Sequence, residues 1–160
     1  MSGLVLSLLA VLGCDEPDPL VQPAANYAAT MRGLMVENAE LEQNFVDLSG
    51  ALHQEGLTPE EITTALEDEL IPGAVVLEEK AAAATPSAPE LAILHSRLEK
   101  AWGDRTRSWR AIQIAFEGGD LDGLQTAMDQ RTESREAEMR YLLDADALLR
   151  PYGESVPRYP

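Results

Sequence analysis

A long heptad pattern near the start of the chain limits its possible folds more than any other feature. Between residues 24 and 53, the positions that recur at alternating steps of four and three are Tyr27, Met31, Leu34, Asn38, Leu41, Phe45, Leu48 and Leu52. This spacing places all of them along one face of a helix. The pattern therefore predicts a helix of about 30 residues whose apolar face is covered by other helices.

Three further segments carry helical spacing, over residues 59–84, 87–117 and 120–149. The second segment is predicted to bury Ile62, Leu66, Leu70, Leu77 and Ala81. The third is predicted to bury Leu91, Leu94 or His95, Leu98, Trp102, Arg105, Trp109, Ile112 and Phe116. The fourth is predicted to bury Leu121, Leu124, Met128, Arg131, Arg135, Glu138, Leu142, Ala145 and Leu149.

Turn and capping signals separate these segments. The runs Thr58-Pro59-Glu60-Glu61 and Ser87-Ala88-Pro89-Glu90 are both typical of a capping box, and Asp120 after Gly118-Gly119 is typical of an N-cap. Pro72-Gly73 predicts a kink in the second helix. Similar lengths and short turns predict an all-α, up-down-up-down four-helix bundle over residues 24–150, with a C-terminal tail over 151–160.

The N-terminus carries a different signal. The run from Gly3 to Leu12 is apolar and about ten residues long, which is typical of the hydrophobic region of a signal peptide and too short to cross a bilayer. It ends in Val11-Leu12-Gly13-Cys14, which contains the only cysteine of the chain. Read without further context, the same residues are also compatible with an N-terminal core helix that buries a free cysteine.

The run Val11-Leu12-Gly13-Cys14 resembles the lipobox of bacterial lipoproteins. The resemblance implies a signal peptide over residues 1–13, cleavage between Gly13 and Cys14, and lipid attached to Cys14. It also implies an address at the cell membrane or outer membrane, with the protein on the periplasmic side. Residues 14–23, acidic and rich in proline, then form a short tether to the bundle.

The charge of the chain restricts its partners. The net charge of −16 argues against nucleic acid, because phosphate groups require a basic surface. Residues 15–84 hold fifteen acidic residues against Arg32 and Lys80, whereas residues 85–160 hold thirteen against ten. An acidic half of this kind is most simply a solvated face, and it also favours a basic partner protein.

Charged and polar residues interrupt the predicted apolar faces near mid-height. These residues are Asn38, Arg105, Arg131, Arg135 and Glu138. They suggest a buried layer in which Arg105 or Arg131 pairs with Glu138 and Asn38 bonds alongside. Three interpretations stay open: a network that fixes helix register, side chains that reach solvent from the edge, and a pocket for a small anionic ligand.

Other chemistries have little support in the sequence. His53 and His95 belong to no Glu-x-x-His pair, no Cys-x-x-Cys-His run is present, and no Gly-rich phosphate loop occurs. We therefore expect no catalytic residues, no metal and no cofactor, and a non-enzymatic envelope lipoprotein that acts through protein contacts. Leu57-Thr58-Pro59-Glu60-Glu61 faintly resembles the LTxxQ motif of periplasmic helical chaperones of the Spy and CpxP type, which gives a chaperone-like role as an alternative.

Overall fold

The predicted four-helix bundle is confirmed in the computed structural model, which describes residues 18–54 and 56–158. Its helices are α1 (Val21–Gln54), α2 (Pro59–Ala65), α3 (Ile71–Ala83), α4 (Pro89–Gly118) and α5 (Leu121–Leu149). A π-helical turn (Leu66–Leu70) joins α2 to α3, so that together they form the second segment of the bundle. A short 3₁₀ turn, Arg150–Tyr152, follows α5. The chain is all-α over the described residues.

The predicted kink in the second segment takes the form of the π-helical turn just before Pro72. Proline has no N–H, so it cannot close the helical hydrogen bond that its position requires. In the widened turn, the N–H of Ile71 instead bonds to the carbonyl of Leu66, five residues back. The segment thereby continues past Pro72-Gly73 without a break, and Leu66 and Leu70 remain buried.

The first helix begins three residues earlier than the sequence predicts. Val21–Pro23, which the sequence places in the tether, form the first turn of α1. Proline is tolerated in the first turn because the N–H groups there have no partner within the helix. Asp18 supports this start, since its Oδ1 accepts the backbone N–H of Leu20 at 2.9 Å.

Two of the three predicted caps are present. Thr58 and Glu61 form the reciprocal capping box of α2, and the backbone N–H of Gly123 donates to Asp120 Oδ1 at 3.0 Å. The predicted capping box at Ser87 is wrong. The N-cap of α4 is Ala88, which is buried and makes no side-chain cap, while Pro89 at the first helical position fixes the backbone for the helix.

The buried face of α5 differs from the predicted one. Leu121 is 78% exposed, and Met128 and Arg135 are also exposed, so these three predictions are wrong. The buried positions of α5 include Ala127, Ser134 and Tyr141, which the predicted face omitted. Because α5 packs closely against α4, small residues such as Ala127 and Ser134 are favoured at buried positions of this helix.

The C-terminal residues pack on the bundle. Val156 is buried in the same apolar cluster as Tyr27 and Trp102, and Glu154 forms an ion pair with Arg32 of α1 at 3.4 Å. Tyr152 donates to Asp18 at 3.4 Å, which ties the chain after α5 to the start of α1. Residues 151–158 therefore close the end of the bundle at which α1 begins.

The apolar core consists of two clusters. One lies toward the start of α1 and includes Met31, Leu98 and Trp102; the other lies toward the end of α1 and includes Phe45, Leu66 and Trp109. We call the end nearest the start of α1 the proximal end and the opposite end the distal end. Helix α5 packs closely on α4, whereas α1 and α5 face each other without extended backbone contact. This open seam leads to the sites described below.

Candidate functional site

A layer of buried polar side chains lies between the two apolar clusters. The layer brings together four of the predicted residues, Asn38, Arg105, Arg131 and Glu138, with a fifth, Glu42. We call these five the arginine layer. Asn38 Nδ2 donates to Glu138 Oε1 at 2.7 Å, and Arg105 donates to Asn38 Oδ1. Asn38 therefore connects an arginine to a glutamate that the arginine does not bond directly.

Glu42 is the central counter-charge of the layer, and the sequence analysis missed it. Arg105 Nη1 lies 3.0 Å from Glu42 Oε1, and Arg131 donates to Glu42 Oε2. The predicted pairing of an arginine with Glu138 is thus replaced by pairing with Glu42. Glu42 follows Leu41 of the heptad face, and its long side chain reaches inward from the edge of that face. Its position next to a heptad residue is the sequence signal that could have indicated a role for Glu42 in the core.

Aromatic rings cover the faces of both guanidinium groups. The Cζ of Arg105 lies 5.6 Å from the ring centroid of Trp102 and 5.2 Å from that of Trp109. The Cζ of Arg131 lies 5.1 Å from the ring of Phe45, which stacks on Trp109 at a centroid distance of 5.1 Å. Such cation–π contacts gain strength when they are removed from water. They offset part of the cost of burying the Arg105 side chain, which is only 1% exposed.

Arg135 lies at the edge of the layer, where the seam between α1 and α5 opens to solvent. Its side chain is half exposed, and its Nη1 lies 3.4 Å from Glu42 Oε2. A cavity of about 40 Å³ adjoins it, which is enough for a few water molecules and too small for a metabolite. The cavity is lined by Met35, Asn38, Ala39, Glu42, Arg135, Glu138, Met139, Leu142 and Pro157. Two carboxylates and one arginine thus face it.

The protonation of Glu138 responds to its burial. Burial raises the pKa of this carboxyl, and the positive charge of Arg105 opposes that rise. The indole Nε1 of Trp102 also favours the ionised form, although it makes no full hydrogen bond within the described residues. A carboxyl whose pKa is raised on folding contributes stability that is complete below its unfolded pKa and is lost as pH rises through its folded pKa.

We expect Glu138→Gln to stabilise the protein at neutral pH and to have little effect below pH 4. The glutamine keeps an oxygen that accepts from Asn38 while removing the buried charge. The measurement is the difference in Tm between the variant and the parent at pH 4 and pH 7. Glu133→Gln, at an exposed position of the same helix, is the matched control. A destabilised Glu138→Gln variant at pH 7 would contradict the expectation.

A second buried polar cluster joins Tyr27, His95 and Tyr141 in the proximal half. His95 Nε2 lies 2.8 Å from the carbonyl oxygen of Ala81, which can only accept, so Nε2 carries the proton. Nδ1 then accepts from the Tyr27 hydroxyl at 3.2 Å, and Tyr27 accepts from Tyr141 at 2.8 Å. Burial raises the pKa of Tyr27 to about 12 and also raises that of Tyr141. Both hydroxyls therefore stay protonated donors at neutral pH.

An apolar groove opens at the distal end, further along the same seam between α1 and α5. Its volume is about 190 Å³, and its walls come from α1, α2, the π-helical turn, α4 and α5. We call it the distal groove. It is lined by Phe45, Leu48, Ser49, Leu52, His53, Ile62, Leu66, Ile112, Phe116, Leu124 and Met128. Ser49 and His53 are the only polar side chains in this lining, so the groove is suited to apolar groups.

The predicted lipid attachment site, Cys14, and the cleavage point after Gly13 lie outside the described residues. Within residues 18–54 and 56–158, no helix is both long enough and apolar enough to cross a bilayer. The same ranges contain no group of three His, Cys, Asp or Glu side chains placed to hold a metal ion.

Comparisons with protein-family models, with curated proteins and with solved structures found no match to this chain. The arginine layer is suited to fixing helix register, because its charges bond to one another and its arginines are covered by aromatic rings. The distal groove differs from it in being open to solvent and apolar.

Proposed function

We propose that this chain is a lipid-anchored, non-enzymatic cell-envelope protein that acts by binding other proteins through the distal groove. The observation that carries the proposal is the groove itself, an open site whose lining is almost wholly apolar. Apolar surface that stays exposed on a folded monomer commonly marks a site for a partner. Phe45, Leu48 and Phe116 supply the kind of wall that protein side chains pack against.

The position of the groove is consistent with an anchor at the N-terminus. Helix α1 rises about 1.5 Å per residue, so Phe45 lies roughly 35 Å along the helix from Val21. A lipid on Cys14, joined by a short tether to the start of α1, would hold the proximal end at the membrane. The groove at the distal end would then face away from the bilayer and toward proteins of the envelope.

The anchor is tested by fatty-acid labelling of the full chain expressed in bacteria. We expect label on the parent protein, none on Cys14→Ser, and release of the Cys14→Ser protein from the membrane fraction. Ser7→Ala, a change within the predicted signal peptide, is the control and should be labelled normally. Label that persists on Cys14→Ser, or a mature protein that retains Met1, would overturn the anchor.

Protein binding is tested by site-specific photo-crosslinking in cells. A crosslinking residue at Met128 or Leu124, both in the groove, is expected to give a discrete adduct that is sensitive to protease. The same residue at Leu143, which is exposed on the same helix and outside the groove, should give none. Equal adducts from Leu143 and Met128 would contradict a groove-specific role.

A further inference from the structure

The distal end of the bundle is strongly acidic. The helical turns that build it, residues 44–54, 56–66 and 111–130, hold seven acidic residues and no Lys or Arg. All seven are exposed: Asp47, Glu60, Glu61, Glu117, Asp120, Asp122 and Asp129. We call them the acidic end. An apolar groove on a surface of one charge sign selects its partners by charge as well as by shape.

The charges of the acidic end are not neutralised within the described residues. None of the seven carboxylates forms an ion pair there, and the partners of Asp47, Glu117 and Asp129 are neutral glutamines. Ion pairs do form at other places on the surface, as in Arg97–Asp144 at 2.6 Å and Lys100–Asp104 at 2.6 Å. The acidic end therefore keeps its full negative charge beside the groove.

The shape of the groove favours a helical occupant. It follows the seam between two helices, and its α1 wall extends from Phe45 to Leu52, about two helical turns. A helix satisfies its own backbone hydrogen bonds, and it presents apolar side chains at spacings of three and four that enter such a groove. A peptide that binds by adding a strand would need a sheet edge to pair with, and the described residues contain no strand.

We infer that the distal groove binds an amphipathic helix of a partner protein, with its apolar face in the groove and its Lys or Arg residues toward the acidic end. This inference rests on the proposed function and names the partner's chemistry. A second copy of this chain is a poor occupant, because two acidic ends would meet and repel each other. An anionic membrane surface is disfavoured for the same reason.

The test uses the full chain carrying Cys14→Ser and a labelled synthetic helix with Leu on one face and Lys on the other. We expect the peptide to bind, and the fluorescence anisotropy of its label to give a Kd that rises with salt. Met128→Glu, which places a carboxylate in the groove, should raise the Kd about tenfold. Ser49→Trp should also raise the Kd, because the indole ring would fill the groove while the apolar lining residues stay in place.

Two controls separate apolar from charge recognition. Leu143→Glu adds the same charge on the same helix outside the groove and should leave the Kd unchanged. The same peptide with Glu at every Lys position should not bind. The triple variant Glu60→Gln, Asp122→Asn, Asp129→Asn should weaken the Lys peptide several-fold without loss of helix content by circular dichroism.

Each negative result of these experiments leads to a different conclusion. Equal binding of the Glu peptide, or equal weakening by Leu143→Glu, would overturn the inference. Dimerisation that Met128→Glu abolishes would also overturn the inference, because the occupant of the groove would then be a second copy of the chain. Binding to anionic vesicles that Met128→Glu abolishes would overturn it as well, because the occupant would then be lipid. A groove-specific crosslink in cells together with no binding of the Lys peptide would overturn the inference and leave the proposed function standing. No groove-specific crosslink in cells, together with no binding of the Lys peptide, would overturn both the inference and the proposed function.

Discussion

Glu42→Gln is expected to lower the free energy of unfolding by about 3 kcal/mol. The substitution removes the carboxylate that pairs with both Arg105 and Arg131, while those guanidinium groups stay buried. Removing one partner of a buried ion pair costs about 3–5 kcal/mol, because the remaining charge has lost its compensation. For a chain of this size, each kcal/mol lowers Tm by about 2–4 °C, so Tm should fall by roughly 10 °C.

Chemical denaturation followed by circular dichroism measures this change. Glu40→Gln is the matched control, since Glu40 lies two residues earlier on α1 and is exposed. A loss for Glu42→Gln within about 0.5 kcal/mol of that control would contradict a central role for Glu42.

A double-mutant cycle isolates the interaction itself. Glu42→Gln combined with Arg105→Gln should show a coupling energy of about 0.5–3 kcal/mol, because the two side chains bond directly. The same cycle with Arg110→Gln, an exposed arginine on the same helix, should show coupling near zero.

Trp109→Ala is expected to cost about 3–5 kcal/mol of the free energy of unfolding. Trp109 is fully buried, stacks on Phe45, and covers one face of Arg105 and of Arg131. The substitution therefore opens a cavity in the distal cluster and removes two cation–π contacts at once. Trp109→Phe keeps a ring in place and should lose less.

The control for Trp109→Ala is Ile114→Ala, at an exposed position on the same helix. We expect Ile114→Ala to change stability by less than about 0.5 kcal/mol. If Trp109→Ala lost less than 1 kcal/mol in the same denaturation experiment, the aromatic covering of the arginines would be of little consequence for stability.

The bundle could be predicted from the sequence because its signals are local. The heptad spacing of α1, the capping box at Thr58 and the N-cap at Asp120 each depend on residues within one or two turns. The face of α5 could not be predicted so well. Its burial is decided by the close packing of α5 against α4, which favours Ala127 and Ser134 over the larger Met128.

The arginine layer was only partly predictable. Asn38, Arg105, Arg131 and Glu138 interrupt heptad faces and were identified from that position. Glu42 lies beside such a face, and only the three-dimensional approach of α1, α4 and α5 shows that one carboxylate serves both buried arginines. The acidic end was hidden for a similar reason. The residues of the acidic end come from separate stretches of the chain. The charge pattern along the sequence shows only that the first half of the chain is more acidic than the second.

The division of the core by the arginine layer has a consequence for local opening. Apolar contacts are cooperative within each cluster, whereas the layer between them is held by oriented polar contacts. We therefore expect amide hydrogens of the distal half to exchange with solvent in an opening that leaves the proximal half closed. Trp102 belongs to one cluster and Trp109 to the other, so the two indoles report separately on the two halves. The distal cluster is the smaller of the two, so we expect the groove there to adjust to an incoming helix while the half nearest the start of α1 keeps its packing.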